Sequence, residues 1–273
     1  MTFNAPADAL TFSESEKSPL SIRAKALVFV DPLSQQLRER AEQLAGSGQP
    51  LLIEGESGTG KELLARYIHR QSERGGLFVA VNCLSLSRQF GEAELFGHTG
   101  GAQAGAPGSR AGWFGSANGG TLYLDEVADL SRDWQTKLLS VLETREVYRV
   151  GASQPLPIDV RLIAASSLEL RRAVEAGRFD EQLYAYLCDG HLTFPALRRR
   201  VGDILPLAEY FIGIHAQRLQ LPVVHLSAEA QALLIRHAWP GNTRELESAI
   251  HLALLLADGE EIRPEHLLLS GRD

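Results

Sequence analysis

The run Leu51-Leu52-Ile53-Glu54-Gly55-Glu56-Ser57-Gly58-Thr59-Gly60-Lys61-Glu62 limits the fold of this chain more than any other segment. Three consecutive apolar residues suit the end of a buried strand. A glycine-rich loop follows, and from Lys61 the apolar residues Leu63, Leu64 and Tyr67 recur at helix spacing. Strand, glycine loop and helix in this order are the layout of a phosphate-binding loop. Glycines let the backbone curl so that its N–H groups converge on an anion, and the helix N-terminus adds partial positive charge. Lys61 supplies a full charge for the outer phosphates. The generic pattern closes on Ser or Thr, whose hydroxyl helps to hold Mg²⁺. Here Glu62 takes that place, which marks a variant of the loop.

Apolar runs alternate with helical patterns from about Ala26 to Leu192. Strands are expected over Leu27–Val30, Leu51–Glu54, Leu77–Val81, Thr121–Leu124, Val160–Ala165 and His191–Phe194. Helices are expected over Leu33–Leu44, Lys61–Gln71, Asp133–Leu142 and Leu168–Ala176. This alternation predicts an α/β fold, a parallel sheet with helices on both faces. After Pro195 the pattern changes to helix-period segments at Ile204–Leu219, Ala228–Ala238 and Thr243–Ala257, with no evident strand. Asn242 is expected to cap the last of these, with Glu245 as its capping-box partner. Three regions follow: a flexible tail over 1–22, an α/β nucleotide-binding domain over 23–194 and a small helical lid domain over 195–273.

The strand Thr121-Leu122-Tyr123-Leu124 runs into Asp125-Glu126, the form of a Walker-B segment. Asp125 is placed to hold Mg²⁺, directly or through water, and Glu126 to polarise an attacking water as general base. Asn82 follows a strand; it can hydrogen-bond Glu126 or merely close a turn. Arg244, at a helix start, can present a planar donor fork to a phosphate or lie on the surface. The basic triplet Arg198-Arg199-Arg200 reads as a solvated or phosphate-facing surface. A net charge of −7 over 273 residues argues against a wholly nucleic-acid-binding surface. Cys83 and Cys188 lack neighbours at metal-ligand spacing, which fits reduced thiols in a cytosolic protein. No apolar run reaches membrane-spanning length, and Met1–Leu20 has no signal-peptide core.

These segments together resemble the central AAA+ domain of bacterial enhancer-binding proteins, the ATPases that activate sigma-54 RNA polymerase. The resemblance covers about Leu27 to Leu269. The segment Gly55-Glu56-Ser57-Gly58-Thr59-Gly60-Lys61-Glu62 is similar to that family's phosphate loop, glutamate included. Val79-Ala80-Val81-Asn82-Cys83 resembles its asparagine switch, Glu94-Leu95-Phe96-Gly97-His98 the approach to its remodelling loop, and Ala117–Glu126 its Walker-B signature. Trp239-Pro240-Gly241-Asn242-Thr243-Arg244-Glu245-Leu246 resembles its second sensor. The resemblance implies ATP and Mg²⁺ as cofactors and Asn82 as the residue that holds Glu126 off the water. It makes Arg244 a γ-phosphate ligand and implies a homo-oligomer built as a hexameric ring acting on sigma-54.

The chain departs from the family pattern in three places. The family's remodelling loop carries Phe and Thr that touch sigma-54. Here Gly101-Ala102-Gln103-Ala104-Gly105-Ala106 puts Gln103 and Ala104 there, which weighs against direct sigma-54 contact, since a loop-tip aromatic often carries ~2 kcal/mol or more. The arginine-finger positions hold Asp180 and Tyr186; such a finger contributes ~10³–10⁵ in rate. A mixed ring with a related ATPase could supply it in trans, and Arg178 is a local substitute. The first sensor, usually Ala-Ala-Thr-Asn, reads Ala164-Ala165-Ser166-Ser167, where Ser167 keeps a donor. No receiver domain is expected before residue 20 and no helix-turn-helix after Leu269. Three readings remain open: an ATP-binding transcriptional regulator with weak hydrolysis, a fully active mechanochemical ATPase, and a non-hydrolysing interaction subunit.

Overall fold

The computed structural model describes residues 9–11, 26–87, 89–102, 108–222, 224–257 and 261–269. The elements, in chain order, begin with β1 (Ala9–Thr11), β2 (Ala26–Val28), α1 (Pro32–Ala45), β3 (Leu51–Glu54), α2 (Lys61–Gln71), β4 (Phe78–Asn82), α3 (Gly91–Phe96) and α4 (Gly112–Ser116). Next come β5 (Thr121–Asp125), α5 (Arg132–Thr144), β6 (Glu146–Val147), β7 (Leu156–Pro157), β8 (Arg161–Ser166), α6 (Leu170–Glu175), α7 (Glu181–Leu187) and β9 (His191–Thr193). The last are α8 (Ile204–Leu219), β10 (His225–Leu226), α9 (Ala228–Arg236), α10 (Asn242–Leu256) and β11 (Glu261–Ile262). The chain divides into two compact units. One comprises Arg40–Gly55 and Leu64–Thr193, the other Met1–Glu39, Glu56–Leu63 and Phe194–Asp273.

The first unit is built on a five-stranded sheet in the order β4-β5-β8-β3-β9, with every neighbouring pair parallel. Its inner strands β3, β5 and β8 are largely continuous apolar runs because both faces are covered. All six residues of β8 are buried, as are Thr121–Leu124 of β5. Leu52, Leu122, Leu124, Leu162 and Ala164 share one core with Leu138 and Leu142 of α5 and Leu183 and Leu187 of α7. Because the strands are parallel, β3, β4, β5 and β8 all end on one edge. There Asn82 is in register with Asp125, and Glu54 with Ser166.

The second unit is the helical one. Leu207 and Phe211 of α8, Leu234 of α9, Leu246 and Ile250 of α10, and Trp239 form its core, joined by Ala26 and Val28 of β2. The indole N–H of Trp239 donates to the Leu234 carbonyl at 2.9 Å, so the largest buried side chain leaves no polar atom unpaired.

Most expected elements lie within two residues of their observed bounds, and several differences have physical causes. Asn82 is the last residue of β4 rather than the one after it. The helical unit contains a short parallel pairing, His225–Leu226 with Glu261–Ile262, too brief to register as a strand pattern. Ala9–Thr11, within the expected tail, pairs antiparallel with β2. Asn242 does not cap α10. It opens the helix with φ of 53° behind Gly241, while Glu245 Oε2 accepts from the Gly241 amide at 2.7 Å. The short helices α3, α4 and α7, five to seven residues long, lie outside the expected set.

Arg161, at the start of β8, is 1% exposed and runs its guanidinium to the C-terminal end of α1. It donates to the carbonyls of Ala45 at 2.5 Å, Leu44 at 2.7 Å and Gln49 at 3.3 Å. A helix end leaves its last carbonyls without intrahelical donors, and this one is buried. Burial lowers the Arg161 pKa to about 10, which keeps it charged at neutral pH. Replacing Arg161 with Met keeps the volume and removes three donors. The expected result is a loss of about 2–4 kcal/mol of stability, measured as a lower urea midpoint with unchanged slope.

Candidate nucleotide site

The loop after β3 falls largely in the helical unit, and that unit's residues hold it. The carbonyl of Glu56 accepts from Thr59 N–H at 3.4 Å, Thr59 Oγ1 at 2.8 Å and Lys61 Nζ at 3.4 Å, which closes the turn. Gly58 and Gly60 have φ of 80° and 109°. At Gly58 a Cβ would lie 2.3 Å from the Gly241 carbonyl oxygen, so glycine is required by the close approach as well as by φ. Among the described residues, the amides of Ser57, Gly58 and Gly60 donate to no partner. They form an open set of donors ahead of α2, with Lys61 at its first position and Glu62 half-buried in its first turn.

Asn242, fully buried, uses its side chain on the loop instead of on its own helix. Nδ2 donates to Glu56 Oε2 and to the Ser57 carbonyl, both at 3.1 Å, and Oδ1 accepts from the Leu197 amide at 2.8 Å. Arg200 is 1% exposed and donates to the Thr59 carbonyl at 3.0 Å and to Thr243 Oγ1 at 3.1 Å. The reading of the basic triplet as solvated surface is therefore corrected at Arg200. Arg198 is also committed, as a fork on the Glu56 carboxylate with Nη1 on Oε2 at 2.9 Å and Nη2 on Oε1. Arg244 lies against the loop. Its amide donates to the Gly58 carbonyl at 3.3 Å and Nη1 to Ser57 Oγ at 3.4 Å, and the side chain is exposed.

The sheet unit carries the carboxylates. Its strand β3 ends in Glu54, fixed by the Leu170 amide at 2.7 Å and His191 Nε2 at 2.9 Å, before the chain leaves at Gly55. Burial raises the Glu54 pKa, but the His191 and Leu170 hydrogen bonds outweigh it and the net shift is downward. Asp125 ends β5, half-buried, and accepts from Tyr123 OH at 3.0 Å. Glu126 follows in the left-handed region at φ 53° and ψ 52°. Such a conformation is uncommon for a non-glycine residue and clusters at functional sites. Ser167 holds it: the Ser167 amide and hydroxyl both donate to Glu126 Oε2 at 2.9 Å.

The expected hydrogen bond from Asn82 to Glu126 is not formed. Asn82 Oδ1 accepts from the Leu84 amide at 2.9 Å and caps the turn Cys83–Ser85. Two residues on is the distance at which an Asn side chain mimics a turn carbonyl. Ser167, expected to face the nucleotide, is the group that contacts Glu126. Burial first, then Asp125, Asp129 and Glu126, push the Cys83 thiol well above its ordinary range, which disfavours the thiolate. Among the described residues no group of three His, Cys, Asp or Glu side chains could hold a metal.

Asp180 and Tyr186 have structural partners within the sheet unit. Asp180 caps α7 by accepting from the Leu183 amide at 2.9 Å, and its own amide donates to Gln135 Oε1 at 2.8 Å. Tyr186 OH donates to the Leu142 carbonyl at 2.9 Å. Arg178 is exposed. Gln103 and Ala104 lie outside the described residues. The base of their loop is described, and His98 bridges to Arg110 on one side and Val150 on the other.

Residues 27–193 match the family described as the sigma-54 interaction domain, and residues 198–271 the AAA+ ATPase lid domain. The chain is 50% identical over 262 residues to the sigma54-dependent transcriptional activator SfnR of Pseudomonas putida, covering 96% of this chain and 72% of SfnR. It is 47% identical over 244 residues to the response regulator protein FleR of Pseudomonas aeruginosa, covering 89% of this chain and 52% of FleR. The crystal structure of NtrX from Brucella abortus in complex with ATP aligns with a TM-score of 0.81 at 35% identity, covering 88% of this chain and 54% of NtrX. The chain thus spans only part of the length of each relative. A parallel α/β sheet with a glycine loop at the end of β3, a separate helical lid and these matches together place the chain in the family of sigma-54-dependent AAA+ transcriptional activators.

Proposed function

We propose that this domain binds ATP and hydrolyses it as a subunit of an oligomeric transcriptional regulator. The observation that carries the reading is the set of unpartnered amides at Ser57, Gly58 and Gly60 in front of Lys61. Converging N–H donors at a helix start bind polyphosphate. Residues 55–62 take the phosphates, and Arg244 adds a planar fork for the outermost one. The donor set also fits Mg²⁺, which is bound by one or two carboxylates with the substrate phosphates supplying the rest. Asp125 would be the carboxylate for it. When bound, the ion neutralises charge on the phosphates.

In the chemical step Glu126 takes a proton from water as the water oxygen attacks the γ-phosphorus. The bond from that phosphorus to the bridging oxygen breaks, and ADP leaves with its charge met by Lys61 and the loop amides. Ser167 orients the base through two hydrogen bonds. With Asp180 and Tyr186 at the finger positions, turnover by a ring of this chain alone is slow unless Arg178 substitutes or a related subunit supplies an arginine. A homo-oligomer, hexameric in the family pattern, or a mixed ring is the assembly this implies. Sigma-54 contact through Gln103 and Ala104 would lack the aromatic anchor.

Replacing Lys61 with Ala removes the phosphate charge and is expected to abolish ATP binding in an equilibrium titration. Glu126→Gln keeps binding and loses turnover; undiminished turnover would identify a different base. Ser167→Ala is expected to lower kcat about tenfold, the equivalent of roughly 1.4 kcal/mol, with KM unchanged. If Asn82→Ala rather than Ser167→Ala carried that loss, the assignment of Ser167 would be wrong. The test of the whole reading is ATP turnover against protein concentration, alone and with a competent family member. Low turnover alone with altered turnover in the mixture supports a regulatory subunit. A steep rise for the chain alone supports a self-sufficient ATPase, and no ATP binding at all rejects the site.

A further inference from the structure

Glu56 and Arg198 form a two-pronged ion pair beside the loop's donors. Glu56 is the second residue of a loop that must accept a polyanion. Its carboxylate is kept ionised, held below the usual carboxylate range chiefly by the hydrogen bonds from Arg198. An uncompensated carboxylate at this point would repel the phosphates. Arg198 covers both oxygens with its fork, and Asn242 Nδ2 adds a third bond to Oε2 at 3.1 Å. The backbone of the same residue sets the turn, since the Glu56 carbonyl takes Thr59 and Lys61. Neutralising Glu56 and fixing the loop are thus carried out at one residue.

We propose that Arg198 is a positioning residue for the nucleotide: it acts through Glu56, cancelling the loop's own negative charge and holding its donors aimed outward. The proposal rests on the ATP-binding reading above. It explains why a glutamate can stand in a phosphate loop, and why an arginine three residues past Pro195 is held in a two-pronged contact while remaining partly exposed. The guanidinium suits this role because its planar fork matches a carboxylate, which a lysine cannot do.

The experiment is an equilibrium ATP titration of the whole chain with Arg198→Gln, Arg198→Lys, Glu56→Gln and the Glu56→Gln/Arg198→Gln double variant, at low and high salt. Arg198→Gln is expected to weaken ATP binding about tenfold, and Arg198→Lys by less. The double variant is expected to return to within about threefold of the parent chain, because the repelling charge is gone. The Arg198→Gln defect is expected to shrink as salt rises, since exposed charges are screened. A double variant as weak as Arg198→Gln, or a defect that is salt-independent and tracks a fall in melting temperature, would make the pair a structural anchor only and overturn the proposal. If the parent chain binds ATP and Arg198→Gln binds equally well, this inference fails alone. If the parent chain binds no ATP, the nucleotide reading fails with it.

Discussion

The buried guanidinium of Arg200 is the interaction on which the helical unit and its loop depend. A charge at 1% exposure is tolerable only when its donors are met. Arg200 meets most of this with the Thr59 carbonyl, Thr243 Oγ1, the Asp203 carboxylate at 3.3 Å and the face of Phe194 at 4.8 Å, while its buried Nε has no hydrogen-bond partner among the described residues. Asp203 in turn accepts from the amides of Val30 and Asp31, both at 2.8 Å, and from Ser34 Oγ at 3.1 Å. Burial pushes the Asp203 carboxyl up, against the pull of the Asp31 amide and Arg200. Removing either partner would strand a charge, at about 3–5 kcal/mol. One ion pair therefore ties together three segments distant in sequence: the start of α1, the phosphate loop and the start of α10.

That arrangement gives the loop a defined shape before any ligand arrives. Glycines at 58 and 60 make the turn possible, but the same freedom leaves the loop many alternatives in the unfolded chain. The carbonyls of Ser57, Gly58 and Thr59 each receive a donor from Asn242, Arg244 or Arg200. Holding the carbonyl side of the loop leaves the amide side exposed to an anion. Preorganisation of this kind lowers the ordering entropy that ligand binding must overcome.

Much of the fold was legible because hydrophobic period changes cleanly along the chain. Continuous apolar runs marked β3, β5 and β8, and helix spacing marked α2, α8 and α10. The strand, glycine turn and helix of the loop were legible because they follow a fixed local order, and the roles proposed for Asp125, Glu126 and Arg244 rest on that same order. What the sequence did not disclose were contacts between distant segments. Asn242 looks like a cap because Asn favours that position, and only the fold reveals that its amide is spent on Glu56 and Ser57, 186 and 185 residues away. Arg200 looks like surface because a basic triplet usually is. Ser167 looks like a shortened sensor, and its two bonds to Glu126 depend on the neighbouring ends of β5 and β8. Side-chain partners chosen by tertiary proximity leave no periodic trace.

The finger positions show that a departure from a family pattern can be consolidated by structure rather than left as a gap. Asp180 is the N-cap of α7, and a carboxylate at such a position is worth about 1 kcal/mol. Its amide also satisfies the buried Gln135, whose Nε2 donates to Leu130 and Arg178 carbonyls at 2.8 and 3.2 Å. Tyr186 ties the same helix to the carbonyl of Leu142 in α5. An arginine at 180 would lose the cap, and one at 186 would lose that tie. Asp180 and Tyr186 thus both serve to hold α7. Hydrolysis that depends on a finger must then draw it from Arg178, next to the buried Phe179, or from another subunit. On the proposed reading, the loop and carboxylates would make this chain a receiver of such a group rather than a donor.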